Sequence, residues 1–382
     1  MCLSYCIQFS GFVKTFLVTE KNIGYNEGRP GEVAPMRSRG CWFLALIILL
    51  LPSCAAPGGA GREEDPCRYE LTAMDTIMTL TVFGEPAREG RRILREAAAE
   101  IQALEALLSV TDENSEIWRA NHSGGETVPL SEDTRRLLEE ALALCGDTEG
   151  ALDVTVYPVV RAWGFTTGDY RVPEDGELTE LLKTVDYTRV VLTEDGLTVP
   201  EGMALDLGAV AKGYTGDRLM ELFRASGVTS AIVELGGNVQ ALGARPDGSP
   251  WRVAVQAPEG GGYAGVLEIT DKAVVTSGGY QRYFEQDGET YWHIMDPATG
   301  RPARSGVTSV TIVSDSGVEA DGLSTALFVM GREKAASYWK THPGFEYVIT
   351  GEDGSVTITE GLESSFSLYG SWAGKTLEIV RR

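Results

Sequence analysis

The sequence predicts an α+β fold, a single domain of mixed sheets and helices that leaves room for two lobes with a ligand site between them. Three observations carry this. Apolar residues recur at the helical period of 3.6 in some segments and at the strand period of 2 in others. Strand-type segments crowd the middle and C-terminal regions with helices interleaved, and neither an internal repeat nor a strong linker divides the chain. At 382 residues and 43% hydrophobic content there is apolar surface enough for a sizeable core.

In chain order, the stretch TIMTLTVFG from Thr76 to Gly84 reads as a strand. From Arg88 to Leu108 a helix places Ile93, Ala97, Ile101, Leu104 and Leu108 on one face. Ser131 to Cys145 opens with a serine cap and an acidic first turn, then turns Leu137, Leu138, Ala141 and Leu144 inward. TRVVLTEDGLTVP gives two short strands about an Asp-Gly turn, and further strands lie near Trp251, Val266, Val274, Val307, Tyr347 and Val356. Ser316 followed by Glu319 has the spacing of a capping box, so a helix starts there and ends at Gly331.

The N-terminal region reads differently. Met36 to Cys54, MRSRGCWFLALIILLLPSC, has basic residues, a short apolar run and small residues, the layout of an export signal. The run is too short to span a bilayer, which needs roughly 20 residues. Its end, LPSC, has the form of a lipobox, which makes Cys54 the lipidated first residue of the mature chain. The expected organisation is therefore an upstream extension foreign to the native protein at 1–35, a lipoprotein signal at 36–53, a Gly-rich tether at 54–66 and the folded domain at 67–382. Export keeps a disulfide between Cys67 and Cys145 open, although sequence does not set their distance.

A formal charge of −22 and a pI near 4.6, with no cluster of Lys and Arg, exclude a nucleic-acid-binding surface. An acidic chain that handles a phosphorylated ligand needs a local cation, most simply a metal. On the helix after Ser316, Asp321 and Thr325 share a face with Ser324 adjacent, a set of hard oxygen donors suited to magnesium. Helix capping and a threonine bonding back to its own helix account for the same residues without a metal. ALDLGAVAKGY, from Ala204, passes from a short apolar strand through Gly208 into a helix start, leaving Asp206 and Lys212 at a junction that attracts phosphate. His293 stands near Asp296 and a Pro/Gly turn, and Asp153 interrupts an apolar run, where it needs a partner or a function.

Together these segments resemble the FAD:protein FMN transferase family, often called ApbE. The resemblance is carried, in order, by MDTIMTL at Met74, SVTDENSEIWRAN at Ser109, GALDVTVYP at Gly150, LDLGAVAKGY at Leu205, ELGGN at Glu234, TSGGYQRYF at Thr276, HIMDPATGRP at His293 and ADGLSTALFVMG at Ala320. It implies FAD as substrate, bound near Met74, Thr111, Ala151, Leu152, Asp153, Asp206, Lys212 and Met295. It also implies Mg2+ held by Asp321, Thr325, the Ser324 position and the Ala209 carbonyl, with His293 as acid/base group. The implied reaction transfers FMN to a Thr or Ser hydroxyl of an acceptor flavoprotein, a subunit of a membrane redox complex, and releases AMP. FAD hydrolysis to FMN and AMP, and flavin binding without catalysis, stay open beside it. Two positions depart from the family's habit: Asp75 stands where Gly often follows the methionine, and Thr111 where an aromatic is frequent. Many members are exported lipoproteins, which agrees with a lipid-anchored domain on the outer face of the cytoplasmic membrane.

Peptide mapping of the protein recovered from its cells is expected to find a lipid-modified N-terminus at Cys54 and nothing from residues 1–35; any peptide from 1–35 refutes the start at Met36.

Overall fold

The computed structural model describes residues 65–260 and 262–382. The export signal, Cys54 and all but the end of the tether lie outside the described residues. Residues 65–382 fall within one compact unit, so the division into two lobes is not realised.

Strands and helices are numbered in chain order. Among the described residues, a nine-stranded sheet runs in the order β1 (Cys67–Ala73), β2 (Thr76–Val82), β5 (Ala231–Leu235), β6 (Asn238–Leu242), β9 (Ala273–Gly278), β14 (Val307–Ser314), β15 (Phe345–Gly351), β16 (Val356–Thr359), β18 (Leu377–Val380). Every pairing in it is antiparallel except β16 with β18. A smaller sheet, β17 (Phe366–Leu368), β8 (Tyr263–Ile269), β7 (Trp251–Gln256), packs on one face. Three hairpins complete the strands: β3 (Val191–Thr193) with β4 (Gly196–Thr198), β10 (Tyr283–Gln286) with β11 (Glu289–Trp292), and β12 (Met295–Asp296) with β13 (Arg301–Pro302).

The other face carries helices. Alternation along the central strands feeds both layers: Val274 and Val313 point to the small sheet, while Val275 and Ile312 point to helix α7 (Gly317–Thr341). Helix α1 (Ala87–Leu108) and helix α6 (Ala211–Ala225) cover β1, β2 and β5. A further core joins α2 (Glu116–Asn121) and α3 (Glu132–Asp147) to the segment from Leu197 to Tyr214. Short helices α4 (Tyr157–Ala162) and α5 (Asp175–Leu181) close the end near Met295.

The expected elements form, with instructive differences. Helix α1 buries the five residues assigned to its inner face, and Ser131 caps α3 through the Thr134 N–H. Cys67 and Cys145 are free and buried in separate cores, so the disulfide is not made; burial pushes the Cys145 thiol up to about 12. The capping box at Ser316 is half realised. Its hydroxyl accepts from the Glu319 N–H at 3.2 Å, but the Glu319 carboxylate accepts from the Ser314 hydroxyl instead of the Ser316 amide. The helix that starts after Ser316 ends at Gly331 as expected: that residue is non-helical, at φ 76° and ψ 171°, and a second helical stretch, counted in α7, follows it directly to Thr341. A Cβ there would come within 3.1 Å of the Ser305 carbonyl oxygen, so glycine permits both the turn and the close approach. Asp75 is explained similarly. Met74 and Asp75 form the two-residue turn between β1 and β2 with φ of 48° and 58°, a left-handed conformation that glycine adopts freely and aspartate tolerates.

Helices α6 and α7 hold each other by their N-terminal turns. The Gly213 N–H of α6 donates to the Asp321 carboxylate of α7 at 2.9 Å. In return the Gly317 and Val318 N–H groups of α7 donate to the two oxygens of Asp217 on α6, at 2.7 and 3.0 Å. Each helix thus satisfies orphan donors of the other. Replacing Asp217 by Ala strips two buried N–H groups of their acceptor and leaves Gln240 Nε2 only the Gly213 carbonyl; urea unfolding is expected to report a loss of about 2–3 kcal/mol, and a loss below about 0.5 kcal/mol would refute the exchange as a structural determinant.

Candidate active site

The crossing of α6 and α7 opens onto a cavity of about 430 Å³. Its wall on the α6 side is the turn from Leu205 into the helix. Asn121 fixes that turn from α2, donating to the Leu205 carbonyl at 2.9 Å and accepting from the Leu205 N–H at 2.7 Å, while the Asp206 N–H bonds the Val154 carbonyl. The turn therefore presents Asp206, Ala209 and Lys212 to the cavity. Asp206 accepts from the Gly208 N–H at 2.7 Å, and Lys212 lies 3.9 Å from Asp321.

Glycine decides how close the helices come. A Cβ on Gly213 would stand 2.1 Å from the Gly317 carbonyl oxygen and 2.8 Å from the Asp321 Cβ. Without that side chain, Asp321 reaches the α6 N-terminus, 4% exposed, instead of facing solvent. Thr325, one turn on, also lines the cavity.

The opposite wall comes from the β1–β2 turn and the loops after α1 and α3. Met74 donates its N–H to Glu105 at 2.6 Å. Thr111, exposed, lines the cavity without offering a ring. Ala151, Leu152 and Asp153 follow α3. The buried Asp153 has the partners its position demands: one oxygen accepts from the Thr155 N–H and hydroxyl at 2.8 and 2.6 Å, the other from the Tyr187 N–H at 3.2 Å. Met295 and His293 close the site, Met295 packed in the core of Trp163 and Phe165.

All the residues singled out in the sequence line this cavity except Ser324, which is fully buried, donates to the Asp321 carbonyl at 2.8 Å and bonds the Ser277 hydroxyl at 2.7 Å. Sequence reasoning assigned no role to Asn121, Asp217, Glu105, Arg282 or Ser277. Asn121, Arg282 and Ser277 lie inside quoted motifs, which is the only signal that pointed to them; the bonds of Asp217 and Asn121 run to residues about 100 and 84 positions away.

The electrostatics are lopsided. Asp75, Glu105, Asp153, Asp206 and Asp321 line the cavity against Lys212 and Arg282. Burial pushes Asp321 above the ordinary carboxylate range, opposed chiefly by Lys212. It does the same to Asp206, opposed by the Gly208 N–H, and to Asp153, opposed by Thr155. Such carboxylates are short of positive charge. Among the described residues no group of three or more His, Cys, Asp or Glu is placed to hold a metal. A cation held here would take one carboxylate, neutral oxygens and oxygens of a ligand, which is the manner of magnesium with a diphosphate. Asp321, Thr325 and the Ala209 carbonyl fit that donor set.

His293 departs from its ordinary value of 6.5. Burial lowers it to about 4, so the ring is neutral at physiological pH. Its Nδ1 lies 3.1 Å from the Arg282 carbonyl, which only accepts; Nδ1 thus carries the proton and Nε2 a lone pair.

This arrangement has known counterparts, and the chain belongs to the ApbE family, whose model matches residues 74–349. The FAD:protein FMN transferase of Treponema pallidum is 33% identical over 342 residues, covering 84% of this chain and 94% of that protein. The enzyme of the same name from Vibrio cholerae is 34% identical over 302 residues, covering 77% and 88%. Among solved structures, the ApbE protein of Thermotoga maritima superposes with a TM-score of 0.74 at 33% identity, over 78% of this chain and 98% of its own.

Because folded His293 binds its proton less readily than the unfolded residue, its contribution to stability is full above pH 6.5 and is lost as pH falls through about 4. Urea midpoints of wild type and His293→Gln are expected to converge between these limits, as wild type loses that contribution; a difference independent of pH would refute the lowered proton affinity of the ring.

Proposed function

We propose that this chain is an FAD:protein FMN transferase that moves FMN from FAD to a Thr or Ser hydroxyl of an acceptor flavoprotein and releases AMP, with Mg2+ as cofactor. The observation that carries the reading is the convergence, in one cavity, of a buried Asp321 beside Thr325, the α6 N-terminus with Lys212, and a neutral His293. The names of the relatives support the same reaction.

Asp321, Thr325 and the Ala209 carbonyl would hold the metal. When bound, Mg2+ supplies positive charge that offsets the diphosphate and the leaving oxygen of AMP. Lys212 adds a second cation from the first turn of α6, where the helix dipole also favours anionic oxygens. His293, protonated on Nδ1, offers Nε2 to the attacking hydroxyl and takes its proton. Its lowered proton affinity would make it a weak base in the empty cavity; a diphosphate beside it raises that affinity, since a nearby negative charge favours the imidazolium. The acid-lined cavity discourages a free anion and admits one that arrives with its metal.

The reading extends to place. The domain works outside the cytoplasmic membrane, tethered through lipidated Cys54, where a subunit of a membrane redox complex can present its hydroxyl; the signal and lipobox in the sequence support this.

The test is incubation of the purified protein with FAD, Mg2+ and a Thr-containing acceptor peptide, read by mass spectrometry. The peptide is expected to gain one FMN. Chelation of Mg2+ and Asp321→Ala are each expected to lower the rate by at least about 100-fold. AMP release at equal rate without acceptor would make the chain a hydrolase, and FAD that stays intact would make it a binding protein; either overturns the proposal.

A further inference from the structure

Proton counting across the hydroxyls behind Thr325 assigns a role to a residue that neither the motif spacing nor the capping pattern singled out. Ser324 Oγ lies 2.8 Å from the Asp321 carbonyl oxygen, an acceptor only, so Ser324 places its one proton there. Ser277 Oγ lies 2.7 Å from Ser324 Oγ. With Ser324 already committed, the proton in that bond comes from Ser277. Ser277 then keeps only lone pairs for its remaining neighbours, the Thr325 hydroxyl at 3.4 Å and the cavity that it lines. Ser324, by contrast, is buried behind Ser277 and does not reach the cavity.

We propose that Ser277, and not Ser324, completes the oxygen wall facing the cation, with its proton locked on Ser324 so that only acceptor lone pairs look into the site. This rests on the reading of the cavity as a Mg2+ site. A free serine hydroxyl turns, and some of its orientations aim the proton at a cation. The bond to Ser324 removes those orientations before the metal arrives, in the way a preorganised site requires. The support is ordered as well, because Ser277 belongs to β9 and pairs there with Val310 of β14, two residues beyond the part of β9 that β6 also pairs. Ser324 acts through Ser277 and is a positioning residue. Thr325 gains too: its own proton has Ser277 Oγ as an acceptor, which leaves its lone pairs toward the cavity.

The experiment titrates Mg2+ into the full chain saturated with FAD and reads the rise in thermal unfolding midpoint, in wild type and in Ser277→Ala, Ser324→Ala and Ser277→Cys. Half-saturating Mg2+ is expected to rise about tenfold in Ser277→Ala and about threefold in Ser324→Ala, where Ser277 regains the freedom to turn its proton inward. Ser277→Cys keeps the volume but exchanges a hard oxygen for a soft sulfur, so its half-saturating Mg2+ rises while that of Cd2+ falls below the wild-type value. That inversion is not produced by a merely structural role, and it stands even if Ser277→Ala folds poorly. An unchanged Cd2+ preference in Ser277→Cys, or a loss in Ser324→Ala that exceeds the loss in Ser277→Ala, overturns the proposal. A wild-type midpoint indifferent to Mg2+ overturns the metal reading beneath it, and is distinguishable because no variant is then needed to see it.

Discussion

The exchange of caps between α6 and α7 is the interaction on which the rest of the site depends. Two helices that cross near their N-termini bring unpaired N–H groups and the positive ends of two dipoles to one place. Here each is answered by an aspartate of the other helix, Asp321 for Gly213 and Asp217 for Gly317 and Val318. The arrangement needs backbones close enough to exclude side chains, which Gly213 supplies. One consequence is structural, because α7 is fixed in register against α6. Another is chemical: Asp321 is held beside the turn that presents Asp206, Ala209 and Lys212.

That geometry resolves the tension between the charge of the chain and its substrate. A protein of formal charge −22 with an acid-lined cavity is a poor receptor for a free dinucleotide. Buried carboxylates held above their ordinary range would make a good receptor for a divalent cation, and such a cation would make the diphosphate acceptable. The neutral imidazole of His293 fits the same distribution of charge, since desolvation and the nearby cations Arg282 and Lys212 disfavour an imidazolium there.

Much of this was legible in the sequence. The inner face of α1, the cap of α3, the hairpin of β3 and β4 (its turn at Glu194 and Asp195, one residue before the expected Asp-Gly), and the strands about Val274 and Tyr347 follow from period and turn chemistry, which act over a few residues. The set of cavity residues was readable because their motifs resemble a known family, not because their spacing shows a cavity. What stayed hidden or misled is equally physical. Gly331 does end a helical stretch, as its signature says, but nothing in that signature shows that a second stretch follows directly and runs to Thr341. Ser324 is adjacent to two cavity residues on α7, but 100° of helical rotation per residue carries it to the sheet side.

The sequence by itself determined the elements, the acidic character and the family resemblance, because propensity, charge and motif are local or additive properties of residues. Only the tertiary structure decided that Asp217 caps α7, that Asn121 pins the Leu205 turn, that His293 is neutral and carries its proton on Nδ1, and that Ser277 faces the cavity in place of Ser324. Each of these depends on a distance between residues far apart in the chain and on how much water their meeting excludes, and neither quantity is written in the order of the residues.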